Sequence, residues 1–368
     1  MKQYRWDIDS LLKYRATYEK LGEEFDVVWD TYNSLIQNYY IKMNSNLYLD
    51  DDFSPADLEL DLVTFKDRFY NLTNPEAINL LVNAYRTIKD YKKKLQPVTF
   101  STFPLNEREL LDITTSLFKE IGHNDLYNKF LHIVNPSNGL LHIDYYKKLI
   151  ETDLGSTYID DVNHISYGLV ARRNSVQDVI TLAHEAFHMI TRQNEVNFDG
   201  YKNIYMEVEG YFANFLFRDL INRRSINTQD LQAFDMFDLT STLFSIEDVI
   251  ITKYIMENHK NGKVDFKGLE HSLKENGIYD NINYTNYQGF ITTGFEKTLY
   301  HGISYLVALD LYEFYKKEPE LAINTVLDIS KLTGKNPMEE LEKINVTFFE
   351  DGYQNLNNKC KKLLKKSN

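Results

Sequence analysis

The sequence predicts a mainly α protein with one small β-sheet or hairpin set against a single helix. Apolar residues recur at three- and four-residue spacing through most of the chain, the period of a helix with one face in a core. Short, β-prone, glycine-punctuated runs are confined to residues 139–172. No Gly/Ser-rich linker and no internal repeat divides the chain, so the helices are expected to pack into one body. By content it divides into a helical part, 1–150, without a recognisable motif, and a part, 151–368, that carries the chemistry.

Composition narrows the classes of function. A net charge of −13 argues against a nucleic-acid surface, which needs clustered Lys and Arg. The single cysteine, Cys360, excludes an intramolecular disulfide framework and makes a thiolate-ligated metal improbable. No stretch approaches the roughly 18 to 20 continuous apolar residues of a membrane helix. The opening residues are charged throughout with no apolar run, so a cytoplasmic location without membrane partners is expected. The 27 Tyr and 22 Phe are expected mostly in the core, tyrosine hydroxyls reaching the surface.

Residues 5–46 read as one or two amphipathic helices, followed by helices at 55–71 and 75–95, with Ser54-Pro55 and Asn74-Pro75 as breaks. Helices at 106–121 and 124–133 precede the turn cluster Asn135-Pro136-Ser137-Asn138-Gly139. Residues 154–159 and 164–171 form the expected hairpin. Ser175 and Asp178 mark a capping-box start for a helix through about 191, and another helix spans 202–222. Beyond it, two helices over 227–260, one at 264–275, a long one from about 286 to 317, and shorter ones at 318–332 and 337–344 are expected. The basic tail from Lys359 is expected to fray.

The helix at 175–191 contains His184-Glu185-Ala186-Phe187-His188, an H-E-x-x-H pattern. Residues four apart share one helix face, so both imidazoles can reach one metal ion, and Glu185 is placed as general base toward a metal-bound water. With 9 histidines in 368 residues, the pattern arises by chance in about one or two such chains per hundred. The helical context favours a zinc site over coincidence. Zinc needs one more protein ligand and an open position. On the following helix, Glu209 lies about 20° outside the apolar stripe and Glu207 about 40° outside its other edge, at 100° per residue. Either carboxylate can turn toward the metal, and either can be an ordinary solvated glutamate. Glu209 borders the core more closely and is the expected ligand, with Glu207 the alternative.

The run Asp178-Val179-Ile180-Thr181-Leu182-Ala183-His184-Glu185 closely resembles the approach to the motif in the oligoendopeptidase F / thimet oligopeptidase family of zinc metallopeptidases. Met206-Glu207-Val208-Glu209 resembles that family's ligand-bearing segment, Glu209 aligning best, and Gly334-Lys335-Asn336-Pro337-Met338 resembles its closing pattern. The likeness runs from about 150 to 368, and the N-terminal part is about half the usual length. It implies a helical metallopeptidase body, one zinc ion on His184, His188 and Glu209, Glu185 as base, and oligopeptide substrates. It also places Tyr305 and His301, on the late segment 298–306, where the family holds substrate and stabilises the oxyanion; ordinary aromatic packing is the alternative for both. The family's other His and Tyr positions are not recognisable, and Phe187 stands where members usually have Gly.

The reading that results is a zinc-dependent peptidase of short peptides. A helical binding or scaffold protein with a vestigial zinc site is the alternative. A two-His-one-Glu zinc hydrolase of a non-peptide amide is a third reading. Cleavage preference and oligomeric state are not legible in the sequence.

Overall fold

The computed structural model describes residues 105–145, 154–160, 165–192, 207–226, 228–258, 266–275, 295–329 and 348–366, with Val82, Tyr85 and Tyr91. The described chain is mostly helical with one three-stranded sheet, as the sequence predicts. Helix α1, Glu107–Ile121, begins at a capping box, where Asn106 and Glu109 each accept from the other's backbone N–H. It ends at Gly122, whose φ of 80° is open to glycine at little cost. Helix α2, Asn124–Ile133, follows at once. Strands β1 (Leu141–Tyr145), β2 (Gly155–Asp160) and β3 (Ile165–Arg172) form a sheet of order β1-β3-β2. The expected hairpin is the antiparallel β2–β3 pair, with Gly155 opposite Val170; β1 adds in parallel on the far side of β3. The division expected at 150/151 falls among residues outside the description, while β1 before it and β3 after it share one sheet.

The sheet lies on helix α3, Gln177–Arg192, the motif helix. Its start is half a capping box: the Asp178 carboxylate accepts from the backbone N–H groups of Arg173, Asn174 and Ser175, while the Ser175 hydroxyl finds no partner among the described residues. Burial raises the Asp178 carboxyl to a pKa of about 6 against the lowering pull of those N–H groups. The opposite side of α3 meets helix α4, Val208–Arg223, buried almost all round along its first ten residues. A helix apolar on every side belongs at the centre of a fold. The chain delivers this: α3 and helix α7 (Phe295–Tyr315) pack on α4, and α7 also contacts helices α5 (Thr228–Asn258) and α9 (Phe348–Lys366). Helices α6 (Phe266–Glu275) and α8 (Pro319–Ile329) complete the described part.

Three expectations are corrected. Residues 228–258 form one helix, because no Gly or Pro interrupts them and α7 supports the apolar side. Helix α4 begins at Val208, so Glu207 lies before its first turn; residues 202–206 are outside the description. The basic tail is docked: Lys359 pairs with Asp235 at 2.6 Å and lies over the Phe215 ring, and Leu356, Cys360 and Leu363 are buried beside it. The helices expected over 5–46, 55–71, 75–95 and 337–344 fall outside the described residues, apart from helical Val82, Tyr85 and Tyr91. Of these, buried Tyr85 donates to Glu247 on α5, and Tyr91 donates to Asn357 on α9 at 3.4 Å.

Candidate metal centre

The motif histidines sit where α3 crosses the start of α4. Close approach there depends on Gly210, since a Cβ at that position would meet the His184 ring atoms at 2.4 to 2.8 Å. The two Nε2 atoms face each other at 2.9 Å. Glu207 Oε2 is 3.3 Å from His184 Nε2 and 3.5 Å from His188 Nε2. Among the described residues these three form a group of ligand-type atoms lying within 4.8 Å of one another. A tetrahedral site with metal–ligand bonds of about 2.0–2.1 Å has edges of about 3.3 Å, so the donor set fits one zinc ion. Two imidazoles and one carboxylate also suit that metal's borderline softness.

The expected ligand Glu209 stands elsewhere. It is 3% exposed, and its Oε1 accepts from the Thr191 hydroxyl at 3.2 Å and lies 3.1 Å from His188 Nδ1. It therefore supports the imidazole from behind, and Glu207 takes the position by the Nε2 pair. The helical wheel placed Glu209 nearer the core, as found, but nearness to the core does not select the carboxylate beside the Nε2 pair: Glu207 has φ −108° and ψ 0° ahead of the helix, where 100° per residue does not apply. Burial pushes the Glu207 carboxyl up, but the charge of His188 and the contacts with both histidine rings outweigh it and hold the group well below the usual carboxylate range.

Each histidine has an oxygen acceptor at Nδ1. For His184 it is Asn214 Oδ1 at 3.2 Å, and the other end of that amide donates to Asp238 Oδ2 at 3.3 Å. Burial raises Asp238 to a pKa of about 6, opposed by the charges of Arg218 and Lys359. Glu185, the central motif residue, is 5% exposed and accepts from the Thr157 hydroxyl at 2.7 Å. Gly155 makes room for it: a Cβ there would stand 2.6 Å from Glu185 Oε1. These groups line a cavity of about 450 Å³, with β2 residues 155–157 on one wall and α5 on another. A larger cavity of about 770 Å³ lies against α4, α5, α7 and α9; its charged lining includes the pairs Arg218–Asp235, Lys359–Asp235, Arg223–Asp219 and Lys316–Glu313. The metal-type donor set belongs to the smaller one.

Of the two late residues, His301 lines this cavity and Tyr305 does not. Tyr305 is fully buried between the rings of Tyr211 and Phe215, 5.1 and 5.2 Å away, and its hydroxyl has no hydrogen-bond partner among the described residues. Both face Tyr211, but Tyr305 lies about 6 Å further along the helix axis, and that displacement carries it out of the cavity and under α4. The phenol at the site belongs to Tyr211, whose hydroxyl is 3.0 Å from His301 Nδ1 and whose ring is 6.1 Å from that of His184. Burial, then the charges of Asp238 and Glu207, raise the Tyr211 hydroxyl well above its usual range, so it stays an O–H. Tyr211, Asn214, Thr157 and Asp238 were not singled out in the sequence. Tyr211 read there as one more aromatic in an apolar stripe, and only its position beside His184 distinguishes it.

No protein-family profile matches the sequence, and no curated protein matches it. Solved structures do share its fold. One is an oligoendopeptidase F by provisional assignment, with a TM-score of 0.61 and 13% identity, over 91% of this chain and 67% of that one. Another, a peptidase of Chlamydophila abortus by provisional assignment, has a TM-score of 0.57 and 13% identity, over 98% of this chain and 62% of that one. A third, PZ peptidase A with an inhibitor, has a TM-score of 0.57 and 11% identity, over 99% and 78%. The chain thus spans between 62% and 78% of the lengths of these three, and what it shares with them is their helical fold.

Proposed function

We propose that this chain is a zinc-dependent peptidase of short peptides, with His184, His188 and Glu207 holding one zinc ion and Glu185 as general base. The observation that carries the reading is the triangle of His184 Nε2, His188 Nε2 and Glu207 Oε2 next to the Glu185 carboxylate. The likeness to peptidase folds supports it. Bound there, zinc would polarise the scissile carbonyl and lower the pKa of a water toward about 7. Glu185, its rotamer fixed by Thr157, takes the water's proton and passes it to the leaving amine. Strand β2 pairs with β3 along one edge, and its other edge, beside Gly155 and Thr157, suits an extended peptide added as a further strand. His301 takes the role of oxyanion donor, for which Tyr211 O–H, 3.0 Å from Nδ1, would donate to that atom and leave the proton on Nε2.

A quenched fluorescent peptide library decides the matter. Wild type should show chelator-sensitive cleavage, and Glu185→Gln should lower the rate about 10²- to 10⁴-fold while keeping one zinc per chain. If wild type cleaves no faster than Glu185→Gln, the peptidase reading is wrong and a binding protein with a residual zinc site replaces it.

A further inference from the structure

We propose that Asp238, which contacts none of the three ligands directly, is a positioning residue that sets the tautomer of His184 through the side chain of Asn214. The inference rests on the zinc reading for its consequence, and on hydrogen-bond polarity for its logic. An ionised carboxylate only accepts hydrogen bonds, so the end of the Asn214 amide that faces Asp238 must be its NH₂. The amide is planar, and its oxygen is thereby turned toward His184 Nδ1, 3.2 Å away. That oxygen also only accepts, so Nδ1 must carry a hydrogen. A neutral imidazole has one N–H, which leaves the lone pair on Nε2, the atom that faces His188 and Glu207.

Asn214 and Asp238 are 4% and 6% exposed, so bulk water does not stand in for either partner. Without an acceptor at 238 the Asn214 amide is free to turn by 180° and present its NH₂ to His184. Nδ1 would then accept, Nε2 would carry the hydrogen, and the ligand atom would be blocked. His188 reaches the same end by a shorter route, since Glu209 faces its Nδ1 directly. The two histidines of one motif are thus oriented by different devices. His184's device crosses α4 and ends on α5, the helix that also carries Asp235 and its pairs to Arg218 and Lys359.

The test reverses the polarity of the relay. Asp238→Asn lets position 238 donate as well as accept, so the Asn214 amide is no longer held in one orientation. Adding Asn214→Asp restores an acceptor toward His184 while the amide at 238 donates to its other oxygen. Histidine ¹⁵N NMR of the metal-free protein, at a pH where His184 is neutral, reads the tautomer, and competition against a chromogenic chelator reads zinc affinity. Asp238→Asn should shift His184 from the Nδ1–H form toward the Nε2–H form and weaken zinc by about 10-fold. The double variant should recover both. The proposal is overturned if folded Asp238→Asn keeps the wild-type tautomer and affinity, or if the folded double variant recovers neither. Should Asp238→Asn not fold, Asn214→Leu, which removes the acceptor at Nδ1, carries the same expectation, and wild-type behaviour there is equally fatal. Absence of zinc binding by wild type would sink the zinc reading instead, and the tautomer of the metal-free protein would still decide the relay.

Discussion

At the residue scale, the centre turns on two glutamates two positions apart with different partners. Glu207 faces both Nε2 atoms, and Glu209 faces Nδ1 of His188. Glu207→Ala should therefore lose stoichiometric zinc, because two imidazoles alone leave the metal one protein ligand short. Glu209→Ala should keep zinc with affinity weakened about 10- to 100-fold, the usual effect of removing an outer-shell acceptor. Zinc titration of the two variants checks this, and the reverse order would return the ligand role to Glu209. That the two histidines meet on one face of a helix was legible in the sequence, because a five-residue helical motif carries its own geometry. The choice between the glutamates was not, since it depends on where a helix starts.

At the element scale, Phe187 explains itself by what α3 touches. It points away from the cavity and packs against Phe118, Phe212 and Phe217 at ring separations of 5.8, 6.2 and 6.4 Å. Phe118 is in turn stacked on Phe130 at 3.9 Å, so one aromatic cluster joins α1 and α2 to the back of α3 and α4. A bulky residue between the motif's glutamate and its second histidine is thus a core residue of this body and leaves the ligand face untouched. Phe187→Ala should destabilise the fold by about 3–5 kcal/mol, the range for emptying a buried aromatic site. Urea unfolding measures this. A variant still folded in dilute buffer should bind zinc as wild type does, because no ligand is on that face.

At the scale of the whole molecule, the C-terminal helix closes the body through a buried charge cluster. Burial, with Arg218 nearby, lowers the Lys359 pKa from 10.5 to about 8, while Asp235 pulls it back up. A cation whose folded pKa is depressed binds fewer protons in the folded state than in the unfolded one between those two values. Its contribution to stability is present above pH 10.5 and is lost as the pH falls through about 8. Thermal unfolding of wild type should therefore shift upward, relative to Lys359→Met, as the pH is raised from about 8 toward 10.5. Parallel curves for the two proteins would show that Lys359 titrates normally. The fraying tail expected from composition failed here: a lysine-rich stretch looks solvated until Phe215 and Asp235 of other helices are brought against it.

By itself the sequence determined the local features: helices over 107–121, 124–133, 266–275 and 319–329, the β2–β3 hairpin, and the H-E-x-x-H pattern inside a helix. Each is set by the chemistry of neighbours in the chain, by periodicity, caps and turn residues, and so can be read without a fold. Tertiary structure decided which carboxylate meets the histidines, that Tyr211 and not Tyr305 stands at the site, and that Asn214 and Asp238 back His184. These are contacts between separate elements, α3, α4, α5 and α7, and side-chain direction across such a crossing depends on helix starts and on close approaches like that of Gly210 to His184. No local pattern encodes them.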